Sequence, residues 1–194
     1  MRLITRAAGA VIFTGGAIVA VPAAAQVNNQ DPGKFVQSLA TTGFASLKGD
    51  KASARDRFRS LLAQHFAVDA IGDRLIRRWR PKISDAQHKA YKAAFPSFIV
   101  GTYADRLYQY SNADIKVVRV QNQGNSAAVL TQVTRPGARP ATAIWSLAKV
   151  GNGYKVTNLT VSGVNIAVAQ EADFSSYIQR NGFDALVNFM EKRG

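Results

Sequence analysis

The sequence predicts an α+β fold: N-terminal helices, a four-stranded antiparallel meander curled over a long helix, and C-terminal helices. Three observations carry this. From Phe35 to Tyr110 apolar residues recur every three or four positions, the helical period. From Asp114 to Val161 they alternate, and clusters of Gly, Pro and Asn interrupt the alternation. After Val164 the helical period returns. Segregated blocks of helix and strand point to α+β, not to an alternating α/β chain.

The first element reads as a targeting segment. Arg2 and Arg6 precede an uncharged run from Ala7 to Val21, and Ala23-Ala24-Ala25 follows. This is the n-region, h-region and small-residue cleavage site of an export signal. The run of about 15 residues is short of the roughly 20 that span a bilayer. We expect cleavage after Ala25, with residues 1–25 the signal peptide and 26–194 one domain in the periplasm. The chain has no cysteine, so lipid attachment, disulfides and thiol chemistry are excluded. Loss of Arg2 and Arg6 takes the formal net charge from +13 to +11.

Asp31-Pro32 is a helix start, a capping carboxylate followed by proline at the first helical position. Phe35, Val36, Leu39, Gly43 and Leu47 form the apolar stripe of that helix, and Gly49 ends it. A second helix is expected over 53–66, with Phe58, Leu61, Leu62 and Phe66 on one face and Arg55, Arg57 and Arg59 on the other. A third, over 69–79, is capped by Asp69 and stopped by Pro81. "SDAQ" at 84–87 is a capping box opening the longest helix, expected over 85–110 and kinked at Pro96. Turns at "NQGN", "PGARP" and "GNG" then join four strands. The last helices are expected over 164–179 and 183–192, broken at Asn181-Gly182.

Residues 74–82, "RLIRRWRPK", first suggest a nucleic-acid surface, since cations flank a tryptophan. Export removes that reading; no nucleic-acid partner is expected. Helical spacing turns Leu75, Ile76 and Trp79 to the core. It leaves Arg74, Arg77, Arg78 and Lys82 on the solvent side. With Arg55, Arg57 and Arg59 they are candidates for meeting anionic headgroups or an acidic partner.

Catalytic signatures are scarce. His65 and His88 sit far apart on different helices, without the spacing of a metal site, and read as helix-surface residues. No phosphate loop, dinucleotide fingerprint or nucleophile elbow is present. Asp105 and Asp114 are single carboxylates, either of which could serve as a general base only inside a cavity. No metal and no cofactor is expected.

Four pieces occur in order: "RDRFRSLLAQHF", "RLIRRWRP", "AYKAAFPSFIVGTYADRLYQYSN", and the long C-terminal run from "ATAIWSLAKVGNGYKV" to "DFSSYIQRNGFDALVNFMEKR". Together they resemble the MlaC or toluene-tolerance family, periplasmic phospholipid carriers of the Mla lipid-asymmetry system. Ile76 and Arg78 depart from that family's usual glycine and aromatic, which points toward a divergent branch such as the hopanoid-associated one. The resemblance implies a cone related to the NTF2-like fold, with acyl chains between sheet and helices and the headgroup at the mouth. It implies lipid exchange with an outer-membrane lipoprotein–porin complex and with an inner-membrane complex of an MCE-domain protein and an ABC transporter. On this reading the lipid-contacting residues are Phe58, Leu62, Phe66, Phe95, Phe98, Ile99, Tyr103, Val129, Val133, Trp145, Leu147, Val161 and Val164. Two acyl chains would need a pocket toward the upper end of the roughly 300–1,000 Å³ range. Two other classes stay open: an enzyme on the same cone, needing a carboxylate or histidine in the cavity, and a non-lipid adaptor whose basic face docks on an acidic partner or envelope polymer, which a filled core would favour.

Overall fold

The computed structural model describes residues 27–194. The export signal expected over 1–25 lies outside them. Helix α1 spans Pro32–Ser46, and the Asp31 carboxylate accepts the Lys34 amide at 2.7 Å. Helix α2 spans Lys51–His65. It starts ahead of Ser53 because the Asp50 carboxylate caps it, accepting the Ser53 amide at 2.9 Å.

Helix α3, Val68–Leu75, is shorter than expected. Asp69 is not its cap; the N-cap position is Ala67, and Asp69 pairs with Lys92 at 3.1 Å. The early end has a packing cause. Leu75 and Ile76 are both buried, and a regular helix would point adjacent side chains about 100° apart. The backbone leaves the helix at Ile76 and tightens into a 3-10 turn over Arg80–Lys82. Trp79 packs on the core as expected and its indole donates to Ser175 Oγ at 3.2 Å.

The capping box at Ser84 and Gln87 has both its bonds, and helix α4 runs Asp85–Leu107 through Pro96. Its last expected turn tightens to a 3-10 turn at Tyr108–Tyr110. The meander follows: β1 Asp114–Gln123, β2 Ser126–Thr134, β3 Ala141–Val150 and β4 Gly153–Val161. Neighbours pair antiparallel in the order β1-β2-β3-β4-β5. The two-residue β5, Val164–Asn165, takes the place of the expected helix start. Ser162 and Gly163 both have positive φ, 48° and 84°, and so fold the chain back on β4 as a hairpin. Asn165 then caps helix α5, Ile166–Asn181, and Gly182 (φ 87°) separates it from α6, Phe183–Arg193.

Two large apolar clusters result, beside a small third one of Leu62, Val100 and Ala104. One packs Phe35, Val36 and Leu39 of α1 on Ile115, Val129, Trp145 and Leu147 of the sheet. The other joins Tyr91, Phe95 and Phe98 of α4 to Phe174 of α5 and Leu186 and Met190 of α6. The long helix therefore faces the sheet but is anchored on its far side. At Phe66-Ala67 the chain forms a parallel bridge to Val156 of β4, with the Ala67 amide donating to the Val156 carbonyl at 2.9 Å.

The α4–α6 contact is made partly by backbone. A Cβ on Gly101 would run into the Arg193 carbonyl oxygen. Inside an exposed helix, Gly→Ala stabilises by about 1 kcal/mol. Here the clash should win: Gly101→Ala should lower the thermal midpoint, costing about 1–3 kcal/mol as overpacking does. Removing Arg193 and Gly194 from that variant should restore the propensity gain. Thermal unfolding of the pair checks both signs.

Candidate functional site: an apolar cavity between helices and sheet

A cavity of about 380 Å³ opens between the two large apolar clusters. Leu39, Gly43 and Phe44 of α1, with its C-cap Leu47, form one wall, and Phe58, Leu61 and Leu62 of α2 the next. Phe95, Ile99, Tyr103 and Leu107 of α4 form a third, with Tyr110 just beyond. The sheet contributes Val133, Ala143, Trp145, Leu159 and Val161. The spacing explains the α4 wall: these residues recur every fourth position and share one face.

The cavity has a closed and an open end. Leu62, Leu75, Phe95, Trp145 and Val156 are buried. Val133 and Ala141 on the inner sheet face, with Tyr110 and Phe44 opposite, are only half-buried, so the lining opens toward solvent where β2 ends and β3 begins. Polar groups are few and mostly paired among themselves. The Tyr103 hydroxyl donates to Gln170 Oε1 at 3.1 Å. Asn158 donates to Asn165 Oδ1 at 3.1 Å and accepts the Ala167 amide at 3.3 Å. Such a lining supplies burial and shape, and few hydrogen bonds.

The sequence matches the profile of the family described as MlaC protein over residues 34–192. The chain belongs to the MlaC family. A toluene tolerance protein, ttg2D of Pseudomonas putida, is 25% identical over 164 residues, covering 80% of this chain and 76% of that protein. The fold is similar to that of a phospholipid-binding protein from Ralstonia solanacearum, solved in complex with a phospholipid. The TM-score is 0.65 at 21% identity, over 81% of this chain and 95% of that one.

Within the MlaC fold, nine of the thirteen residues read from the sequence line the cavity: Phe58, Leu62, Phe66, Phe95, Ile99, Tyr103, Val133, Trp145 and Val161. Four do not. Phe98 is turned off the cavity stripe of α4, onto Phe174 and Phe189 with ring centroids 5.5 and 6.1 Å away. Val129 and Leu147 are on the inner sheet face but lie in the cluster under α1. Val164 sits in β5 and is 55% exposed. The α1 wall was not assigned from sequence. Its one distinguishing signal was Gly43, a residue costly in a helix yet placed on the apolar stripe. A Cβ there would meet no atom within 4 Å, so it would project into open space.

The volume falls at the lower end of the ligand-pocket range, not the upper end expected for two chains.

The α2 cations are engaged locally. Arg55 pairs with Asp105 at 2.8 Å and Arg59 with Asp56 at 3.1 Å. Arg57 donates to the carbonyls of Ser46 and Lys48 at 2.7 and 2.6 Å, tying α2 to the end of α1. Arg74, Arg77, Arg78 and Lys82 are exposed, with Arg78 and Lys82 over the Trp79 ring at 5.8 and 5.2 Å. This ridge adjoins the start of α4, where Arg80 pairs with Asp85 at 2.6 Å. The mouth is at the other end of that helix, about 35 Å away along its axis. The ridge is therefore not at the mouth.

Asp105, Asp114, His65 and His88 all lie outside the lining. His88 Nε2 meets Asp73 Oδ1 at 2.8 Å. His65 is half-buried rather than a surface residue, edge-on to Phe35 at 6.1 Å. Burial, and secondarily the Lys155 charge, push its pKa below the ordinary 6.5. The sign follows. Above that value the ring is neutral in both states and costs nothing. As pH falls below it, the unfolded chain takes up the proton first, so stability drops. The urea midpoint should fall between about pH 7 and pH 5, and His65→Gln should flatten that part of the profile.

Proposed function

We propose that this MlaC-family chain is a periplasmic carrier that shields the acyl chains of a phospholipid, or a related lipid such as a hopanoid, in the cavity. The observation that supports this most is the lining: an open, deep space walled almost wholly by carbon. One buried methylene is worth roughly 0.8 kcal/mol, so two acyl chains resist water by on the order of 20 kcal/mol. A lipid does not cross an aqueous compartment against that cost without a shell of this kind. The phospholipid-binding protein of like fold and the ttg2D relative support the same reading.

On this reading the chain exchanges lipid between an outer-membrane lipoprotein–porin complex and an inner-membrane MCE-domain and ABC-transporter complex, and so maintains outer-membrane lipid asymmetry. It is a binding protein rather than an enzyme. The enzyme alternative required a carboxylate or histidine in the cavity, and Asp105, Asp114, His65 and His88 are all elsewhere. A filled core would have favoured the adaptor alternative, and the core is open.

Protein purified without detergent should yield phospholipid on extraction, identified by mass spectrometry. Gly43→Phe tests the cavity directly. The ring would enter open space, so folding should be unimpaired. Lipid recovered per protein should fall about tenfold, the equivalent of roughly 1.4 kcal/mol. A wild-type protein that carries no lipid and takes none from vesicles would sink the reading.

A further inference from the structure

The cavity walls have little with which to recognise a polar headgroup, so recognition must come from the mouth. Three cations are close in sequence to residues that line it. Arg135 follows β2 directly, Arg139 precedes β3, and Arg106 lies between cavity residues of α4. Of these Arg135 is the most firmly placed. Its guanidinium carbon lies 5.0 Å from the centroid of the Tyr110 ring. That ring in turn stacks on Phe44 at 6.3 Å, and both rings line the cavity. Arg135 Nη1 donates to Gln109 Oε1 at 2.7 Å.

Both of these partners are neutral. An amide and a ring orient the guanidinium without cancelling its charge, and a guanidinium has five N–H donors, most of them still available. Among the described residues no carboxylate pairs with Arg135, Arg139 or Arg106. Acids do occur nearby: Asp105 is held by Arg55, while Asp114 lies across from Thr134 at the first residue of β1 and is exposed. Asp173 and Arg106 act on the Tyr103 hydroxyl in opposite directions. Of these rim groups Arg135 is the cation set against the cavity rings with no carboxylate on it.

We propose that Arg135, stacked on Tyr110, binds the phosphate of the guest lipid at the mouth, with Arg139 and Arg106 adding to the field. This rests on the carrier reading and adds to it a basis for headgroup selection: lipids bearing a phosphate are preferred over neutral lipids with the same chains. A guanidinium fork matches two phosphate oxygens, which an ammonium does not. The basic ridge at 74–82 takes no part, because it adjoins the closed end.

The test is a competition. Delipidated protein is loaded from a mixed dispersion of dioleoyl phosphatidylglycerol and dioleoylglycerol, and the bound ratio is read by mass spectrometry. Wild type should favour the phospholipid. Arg135→Gln should lower the ratio about ten- to a hundredfold with diacylglycerol loading unchanged. Arg139→Gln should move it the same way by less. Lys149→Gln, at the far end of β3, should leave it unchanged. Equal loss of both lipids, an unchanged ratio, or an equal effect of Lys149→Gln would overturn the assignment. Arg135-dependent binding of inorganic phosphate alone would assign the site to a free anion and overturn it too. If wild type loads neither lipid, the carrier reading itself fails.

Discussion

The bridge from Phe66-Ala67 to Val156 sets the distance between the helical layer and the sheet. A sheet with Val129, Trp145, Leu147 and Val156 on one face must be covered, and two elements facing each other with apolar stripes ordinarily close. Here each is committed elsewhere. The β1–β2 half of the sheet is covered by α1. The β4 edge is tied to the α2–α3 junction by that bridge and to α5 by Asn158. Helix α4 is drawn outward by Phe98 on α5 and α6, and by the Tyr91 hydroxyl donating to the Gly72 carbonyl at 2.9 Å. The facing stripes are left apart, and the space between them is the cavity. An interior void costs stability through the contacts its lining forgoes, so it persists only because both walls are held from behind.

Much of this was legible from residue spacing. The capping signals at Asp31 and Ser84, the hairpin turns and the break at Gly182 are local, and local chemistry placed them to within a few residues. The α4 cavity stripe was legible for the same reason, since Phe95, Ile99 and Tyr103 share a face whatever packs on it. What spacing does not carry is which neighbour a face meets. Phe98 is as apolar as Phe95, and only the position of α5 and α6 makes one wholly core while the other also lines the cavity. Val129 and Leu147 alternate correctly onto the inner sheet face, but α1 covers that part of it. The α1 wall was missed because its stripe serves core at Phe35 and cavity at Gly43, a division set by where the sheet ends. The 74–82 segment shows the converse: its burial pattern was readable, while its distance from the mouth depended on the orientation of α4.

Charge is distributed along the same axis. The α2 arginines are exposed but turned back onto the chain itself, meeting Asp105, Asp56 and the carbonyls at the end of α1. The ridge beside the closed end is solvated and sheathes Trp79 with cations. At the mouth, by contrast, Arg135 rests on neutral groups. A high net charge by itself implies only attraction to anionic surfaces. Its division into paired, solvated and uncompensated groups separates cations that hold the fold from those with charge to offer a ligand.

The lining also bears on how a guest would leave. Acyl chains in this cavity and acyl chains in a bilayer are in environments of similar apolarity. The large cost of exposure to water therefore enters the barrier between them, not the difference between the end states. On the proposed reading, a carrier so built would be close to thermodynamic balance with its donor and acceptor and would hold its guest through the height of the intervening barrier. Contact with a membrane-bound partner would lower that barrier by offering apolar surface at the mouth before the chains are exposed. The direction of transfer would then depend on the partners and on any energy they spend, and a cavity lined by carbon without regard to its source would work equally well both ways.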